Sequence, residues 1–449
     1  MKTHMWRVIC LILVGAMVLA ACAPAATPTT APAPTTAPAP TKAPAPTAAP
    51  AAAKTKANIV HYYSGDLGKK SMTELIDGFN KSQEKCEVVD NTTGHEDFKT
   101  QILVMLAGDN PPDIFSYWAG ARVEFVEKAG RLMELGDFWK TNNLDQVIVP
   151  GIQSAKDYDG GVYAIPQNFH FTGLFYNPKV MEKAGVTEMP KTWEELLVAA
   201  EKIKATGVTP FALGSKNRWP AQFWFDYLVS FSAGHDYRAK LQGGQASFED
   251  PQVVKAMELW KTLVDKGYFT KDANAYDWTD AADQVAKGEA AMTLMGTWIT
   301  GYWDGNKLKA GTDYDVFPFP QIDPNVPKAA FGPVDAWAIP KDAKNADCAK
   351  ALILWFLKPE NQKTWALGQG ALAASSKVDP AMYNPVMKKA NDYVASGYKW
   401  IPAYDLSTPP PNAEVGLNMF AQFMNDPSKY KDYLTEAQKA SVQAFAGLK

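Results

Sequence analysis

The sequence predicts an α/β protein whose body folds as two lobes. Two observations carry that expectation. From residue 58 onward, short β-like runs alternate with capped helices, and the first five such elements read β-α-β-α-β. The body, roughly 390 of the 449 residues, is also too long for one core, since domains average about 150 residues.

The elements follow in order. Asn58–Tyr63 (NIVHYY) reads as a strand. Ser71-Met72-Thr73-Glu74 has the form of a capping box opening a helix to Ser82. Cys86–Asp90 is a second strand. Asp97–Leu106 is a helix with Phe98, Ile102, Leu103 and Leu106 on one face, and Asp113–Trp118 is a third strand. This order predicts a mostly parallel sheet with helices on both faces. Thr192-Trp193-Glu194-Glu195 is another capping box, for a helix to Gly207. Asp250-Pro251 caps one that stops at Gly267. Thr279 opens a helix ending near Gly288, Asn345 one through Leu357, and Glu360–Leu367 is the next. Helix exceeds strand, and no repeat of 20–50 residues is present. Ligands of such folds sit beyond the C-terminal ends of the strands. Gly65-Asp66, Trp118 and Trp298 each lie there.

The first residues read as export and anchoring. Lys2 and Arg7 precede Val8–Ala20, an uncharged apolar run that is too short to span a bilayer comfortably. It ends in Leu19-Ala20-Ala21-Cys22, which resembles a bacterial lipobox. Residues 1–21 are then the signal peptide and Cys22 the lipidated N-terminus. An ordinary signal peptide with a nearby cysteine is the alternative. Residues 23–53 hold only Ala, Pro and Thr apart from Lys42, with nine of the 32 prolines. Such a segment cannot build a core and extends to roughly 95 Å at about 3.1 Å per residue. Residues 22–56 therefore read as a tether on the extracytoplasmic face of a cell membrane. Of the four cysteines, Cys10 and Cys22 fall in the leader and at the anchor. Cys86 and Cys348 remain in the body, and their pairing is not readable from sequence.

Composition and motifs exclude several functions. Net charge is −3 and the pI is near 6.0, so no basic footprint for nucleic acid exists. Gly65–Ser71 (GDLGKKS) fails as a phosphate loop by length. No H-E-x-x-H occurs, and His61, His95, His170 and His235 are far apart, so no metal site is expected. Asp272–Asp277 fails as a calcium loop because Tyr276 and Asp277 replace a ligand and the required glycine. No G-x-S-x-G nucleophile turn occurs. Glu194–Glu195 suits a helix N-terminus better than acid–base work. No catalytic residue and no cofactor are expected. The aromatic content, 14 Trp and 18 Tyr, fits packed cores or sites for flat, partly apolar ligands.

Several segments together resemble the extracellular solute-binding proteins of ABC importers, in the carbohydrate-binding group that includes maltose-binding protein. They are Pro112-Asp113-Ile114 with Trp118, then Gly130–Leu135, Gly161–Pro166, Phe175-Tyr176-Asn177 and Pro190–Leu196. Lys287–Met292 leading to Gly296-Thr297-Trp298 is the most specific, followed by Trp337–Pro340 and Lys358–Gln362. The resemblance covers most of 58–449 and implies a two-lobed periplasmic-binding-protein-like fold (type II). Its lobes are discontinuous: 57–167 with 321–377, and 168–320 with 378–449, joined by a hinge. It implies a monomer that binds a sugar between the lobes, docks on ABC permease subunits, and performs no chemistry.

Sugars present C–H faces that pack on aromatic planes and hydroxyls that need fixed polar partners. By the resemblance, Trp118 is the platform of the first lobe, Arg122 a ligand-contacting cation and Asp66 a hydroxyl acceptor. Leu67 and Ala121 stand where maltose-binding protein has a lysine and an aspartate, which puts maltodextrin itself in doubt. Trp298 is the stacking tryptophan of the second lobe. Gln167, Asn168 and His170 follow Pro166 at the hinge and could bond hydroxyls or only each other. Trp219 sits in the loop Gly214–Pro220; Asp335 and Trp337 end GPVDAW; Trp400 and Asp405 lie in a late Pro-rich loop. Each tryptophan could instead be core. A glycerol phosphodiester, sialic acid or another polar metabolite is the alternative ligand, and a surface glycoside hydrolase or a sugar-sensing receptor the alternative function.

Overall fold

In the computed structural model, residues 54–448 are described; the leader, Cys22 and the tether to residue 53 lie outside them. The first strand, Thr55–His61, buries Ala57, Ile59, Val60 and His61 in a six-stranded sheet, next to its edge strand Cys86–Thr92. It starts inside the stretch assigned to the tether, with Thr55 paired to Cys86. In spatial order the sheet runs Leu372–Ala373, Ile165–Phe169, Val334–Ala338, Ile114–Trp118, Thr55–His61, Cys86–Thr92. A second sheet of four strands runs Asp315–Phe317, Thr172–Tyr176, Ala290–Gly296, Thr209–Phe211.

The sheets are mixed, not mostly parallel. Thr55–His61 pairs in parallel with both Cys86–Thr92 and Ile114–Trp118, as the β-α-β-α-β order requires. Val334–Ala338, arriving from the other sheet, is antiparallel to Ile114–Trp118 and to Ile165–Phe169. The chain passes from one sheet to the other across only His170 and Phe171, with no helix to reverse its direction. The second sheet is mixed as well: Thr172–Tyr176 is antiparallel to both Asp315–Phe317 and Ala290–Gly296, and Thr209–Phe211 is parallel to Ala290–Gly296.

Local caps decide the helix ends. Thr192 Oγ1 accepts from the Glu195 N–H at 3.2 Å, and the Glu195 carboxylate accepts from the Thr192 N–H at 3.2 Å. This reciprocal pair, of the kind whose loss costs about 1 kcal/mol, starts Trp193–Ala205, which buries Trp193, Leu196, Ala199, Ala200 and Ile203. Two expected starts are corrected. The helix expected at Ser71 opens at Asp66, so Ser71 is interior to Asp66–Ser82 and caps nothing. The helix expected at Thr279 is Trp278–Lys287, boxed by Asp277 and Asp280. Asp250 precedes Pro251–Asp265, but its carboxylate accepts from the Ser247 N–H and the Tyr237 hydroxyl instead of capping. Cys86 is joined by a disulfide to Cys348 on Ala346–Phe356, which fixes an outer strand of the large sheet to a covering helix. No helix among the described residues is long and apolar enough to cross a membrane.

Candidate functional site

Strand ends from both sheets open onto one cavity of about 700 Å³. Tyr62 and Tyr63 follow the first strand, Trp118 ends the third, and Trp298 follows Ala290–Gly296. Asp335 reaches the same edge because its antiparallel strand places it opposite Trp118 on one side and Asn168 on the other.

Aromatic rings face the cavity from both sides. Trp118 stacks on Tyr62 with centroids 4.2 Å apart and planes at 22°. His95 meets Trp118 edge-on at 5.2 Å. Opposite them, Trp298 packs with His170 at 5.1 Å, Trp219 at 5.8 Å and Phe223 at 6.1 Å. Trp219 is presented by a strained turn. Arg218 has φ +64, held by its guanidinium on Glu414 at 2.8 Å and Asn418 at 2.6 Å. A non-glycine residue in that region costs on the order of 1–3 kcal/mol and persists only where its surroundings enforce it.

The polar side of the cavity centres on Asp335, which is buried. Its Oδ1 accepts from the Tyr62 hydroxyl at 2.6 Å and its Oδ2 from Asn168 Nδ2 at 2.7 Å. His170 Nε2 lies 3.4 Å from the same Oδ2, while its Nδ1 is 2.9 Å from Thr297 Oγ1, next to Trp298. Burial, then the Asp335 carboxylate, pushes the Tyr62 hydroxyl well above its ordinary range, so it remains a donor.

The cations around the cavity are engaged. Lys99 donates to Glu96 at 2.8 Å. Burial pulls the Glu96 carboxyl upward, but the His95 hydrogen bond and the Lys99 charge outweigh it and hold it at about 2. Arg122 Nη2 lies 3.2 Å from Asp405 Oδ2, and Lys216 is 3.2 Å from Asp277. Of the four lining carboxylates, Glu96, Asp277, Asp335 and Asp405, only Asp335 has no Lys or Arg partner among the described residues.

The positions expected from sequence divide in two. Trp118, His170, Trp219, Trp298, Asp335 and Asp405 line the cavity together. Arg122 does not: it lies beneath the wall, its guanidinium 5.5 Å from the Trp118 ring centre and tied to Asp405. Gln167 is buried behind Tyr63, accepting from Tyr63 at 3.0 Å and Ser116 at 3.1 Å. Asn168 is spent on Asp335 and on Trp365 Nε1, whose N–H it accepts at 2.8 Å. Trp337 is in the core against Phe356, two residues further into the sheet than Asp335 and beyond a register shift that falls between Asp335 and Ala336 in the pairing with Ile165–Phe169. Register pairs it with Ser116, inside the sheet. Trp400 lies on Lys399–Ile401, a strand paired with Ala329–Phe331 away from the cavity wall. Asp66 opens its helix between the lining residues Gly65 and Gly68, and its side chain is outside the described set.

Tyr62, Tyr63, His95, Glu96, Phe223, Trp278 and Tyr302 line the cavity unforeseen. The two tyrosines had a legible signal, since they follow the strand just as Gly65 does. Phe223 had none, because Gln222–Ala233 is apolar on nearly every face.

Comparison with known proteins gives a consistent picture. Residues 65–363 match the family model described as bacterial extracellular solute-binding protein. An uncharacterized ABC transporter extracellular-binding protein of Pyrococcus horikoshii is 30% identical over 77% of this chain and 78% of its own length. A probable sugar-binding periplasmic protein of Mesorhizobium japonicum is 28% identical over 76% of this chain and 82% of its own. Among solved structures, the bacterial solute receptor AcbH, described as having an exclusive preference for β-D-galactopyranose, superposes with a TM-score of 0.80. It is 26% identical, covering 88% of this chain and all of its own.

Proposed function

Because the chain belongs to the bacterial extracellular solute-binding proteins, we propose that it captures a sugar in the cavity and hands it to the permease of an ABC importer. The observation that carries this reading is the pairing of two aromatic groups, Tyr62–Trp118 and Trp219–Trp298, across a buried acceptor, Asp335. Aromatic faces suit the C–H side of a pyranose, and a carboxylate with a free lone pair suits its hydroxyls. The relatives named for sugars agree with it.

The ligand is neutral in this reading. A phosphate or a sialic acid wants free basic side chains. Here Lys99, Arg122 and Lys216 each sit on a carboxylate already. The chain returns its ligand unchanged, as binding proteins of this family do.

Division into lobes 57–167 with 321–377 and 168–320 with 378–449 belongs to the same proposal. Sheet membership supports it, with two departures: Ile165–Phe169 runs past 167, and Ala329–Phe331 pairs with Lys399–Ile401 across the division. We further propose a monomer, anchored through a lipid on Cys22. Release of a Cys22→Ser protein from the membrane fraction would bear out the anchor, and continued retention would refute it.

A thermal-shift screen of mono- and oligosaccharides against glycerol phosphodiesters and amino acids tests the ligand class. A ligand at 100 times its Kd adds about 2.7 kcal/mol of stability. A shift from a sugar that is recovered intact supports the reading. A shift from an anionic ligand alone, or cleavage of the sugar, overturns it.

A further inference from the structure

The cavity holds a second aromatic surface beyond the Trp298 group. Tyr302 lies on the helix Trp298–Gly305, four residues after Trp298. Four residues are about 6 Å of helical rise, the order of one pyranose unit, and they return to the same face. Trp298 packs with His170, Trp219 and Phe223. Trp278 packs instead with Tyr302, edge to face at 5.5 Å and 67°. Both line the cavity and both are partly exposed.

This second surface is fixed in place. Tyr302 donates its hydroxyl to Asp283 Oδ1 at 2.9 Å. Trp278 is the first residue of a helix whose capping box, Asp277 with Asp280, sets its position. Polar groups border the rings: Thr279 and Asn306 line the cavity beside them, and Asn217 is held on Asp277 Oδ1 at 2.8 Å. An apolar plane edged by amide and hydroxyl groups repeats the chemistry of the first site one ring-length away.

We propose that Trp278 and Tyr302 form a second sugar-ring subsite, so that the cavity takes a linear oligosaccharide of at least two pyranose units. The proposal rests on the sugar-binding reading above and adds the length of the ligand to it. A monosaccharide-only receptor would leave this surface unused.

Calorimetric titration of the full-length chain tests it with matched series: glucose with cellobiose and with maltose, galactose with β-1,4-galactobiose, xylose with xylobiose, and N-acetylglucosamine with chitobiose. In the series that binds, the disaccharide is expected to bind at least tenfold tighter than its monosaccharide. Trp278→Ala and, independently, Tyr302→Ala should each remove most of that gain and leave monosaccharide affinity unchanged. Trp278→Phe should retain it. Equal affinities for mono- and disaccharide in the wild-type chain overturn the second subsite while the sugar-binding function stands. So does a Trp278→Ala protein that loses monosaccharide and disaccharide affinity alike. No binding in any series overturns both.

Discussion

Substituting Gly296 by alanine separates the Trp298 platform from the fold that carries it. Gly296 ends the strand Ala290–Gly296, opposite Thr172, and the Trp298 ring folds back over it. A Cβ at 296 would lie 2.0 Å from Trp298 Cζ3 and 2.2 Å from Cη2. Its nearest neighbours are all ring atoms, so the ring must move and the strand need not. Gly296 is not among the glycines with positive φ, so alanine fits its backbone. Restricting the unfolded chain should stabilise the protein by about 0.4–1 kcal/mol. Displacing the ring loosens its pairs with His170, Trp219 and Phe223, at about 0.5–1.5 kcal/mol for each pair that is lost. The gain offsets part of that cost, and net stability should fall by less than about 3 kcal/mol. Affinity has no such compensation. A pyranose face on the ring hides on the order of 40–120 Å² of apolar surface, worth about 1–3 kcal/mol. Kd should therefore rise by about 5- to 150-fold. Urea unfolding and calorimetry with the sugar found by screening read the two quantities. Unchanged Kd at unchanged stability would refute the platform role of Trp298. A stability loss beyond about 3 kcal/mol would show that the strand, not the ring, had yielded.

Three further outcomes follow from the same geometry. Asp335→Asn replaces an acceptor of two buried hydrogen bonds with a group that must turn an N–H toward the Tyr62 hydroxyl or toward Asn168 Nδ2. Hydrogen bonds to charged groups are worth about 1.5–3 kcal/mol, so unfolding in urea should show a loss of about 2–4 kcal/mol, and an unchanged midpoint would count against Asp335 as the junction. The Cys86–Cys348 disulfide spans 262 residues, and a Cys86→Ser/Cys348→Ser protein should be less stable by about 2–5 kcal/mol; insensitivity of the wild-type melting temperature to reductant would contradict that. Burial pushes the Asp226 carboxyl up to about 6 against the pull of Arg238, 2.6 Å away. Its unfolded carboxyl ionises near pH 4, so the folded chain holds the extra proton between about pH 4 and 6. The contribution of this group is full below about pH 4 and declines as pH rises through 6. The stability of wild type relative to Asp226→Asn should therefore fall across that window, and parallel profiles would rule it out.

Much of the fold was legible because its signals are local. Capping residues and apolar spacing gave the expected helices within a few residues; the helix expected over Asp97–Leu106 begins at His95, the starts at Ser71 and Thr279 were misplaced, and helices such as Gln222–Ala233 and Pro410–Asn425 were not expected. Ser71 stands three residues before Glu74, which satisfies the capping pattern anywhere, whereas Thr279 has only the residue type of a cap, with Ala282 three residues on. In both places the competing choice depends on what precedes it. Gly65, just beyond Tyr62, Tyr63 and Ser64 at the strand end, stands at the N-cap and starts its helix earlier, and Asp277 forms a box with Asp280. Strand direction was legible only for the first three strands, whose β-α-β-α-β order requires the parallel pairing they show. Val334–Ala338 reads as a buried run in either orientation, and only its insertion between Ile114–Trp118 and Ile165–Phe169 makes the sheet mixed.

The site divides along the same line. Trp118 and Trp298 stand at strand ends, where position in the sequence already fixes position at the cavity. Gln167, Asn168 and Arg122 were polar and in the right neighbourhood, yet they face inward. Their hydrogen bonds orient other residues: Gln167 holds Tyr63, Asn168 holds Asp335, and Arg122 holds Asp405 beneath Trp118. Burial explains the difference. A polar side chain at the junction of two sheets has to find partners in the protein, and here those partners are the groups that line the cavity. Substituting these three should therefore perturb affinity only together with stability, whereas Gly296→Ala, which displaces a ring without removing a buried hydrogen bond, acts chiefly on affinity. That contrast distinguishes a contacting residue from a supporting one more sharply than the loss of binding by itself.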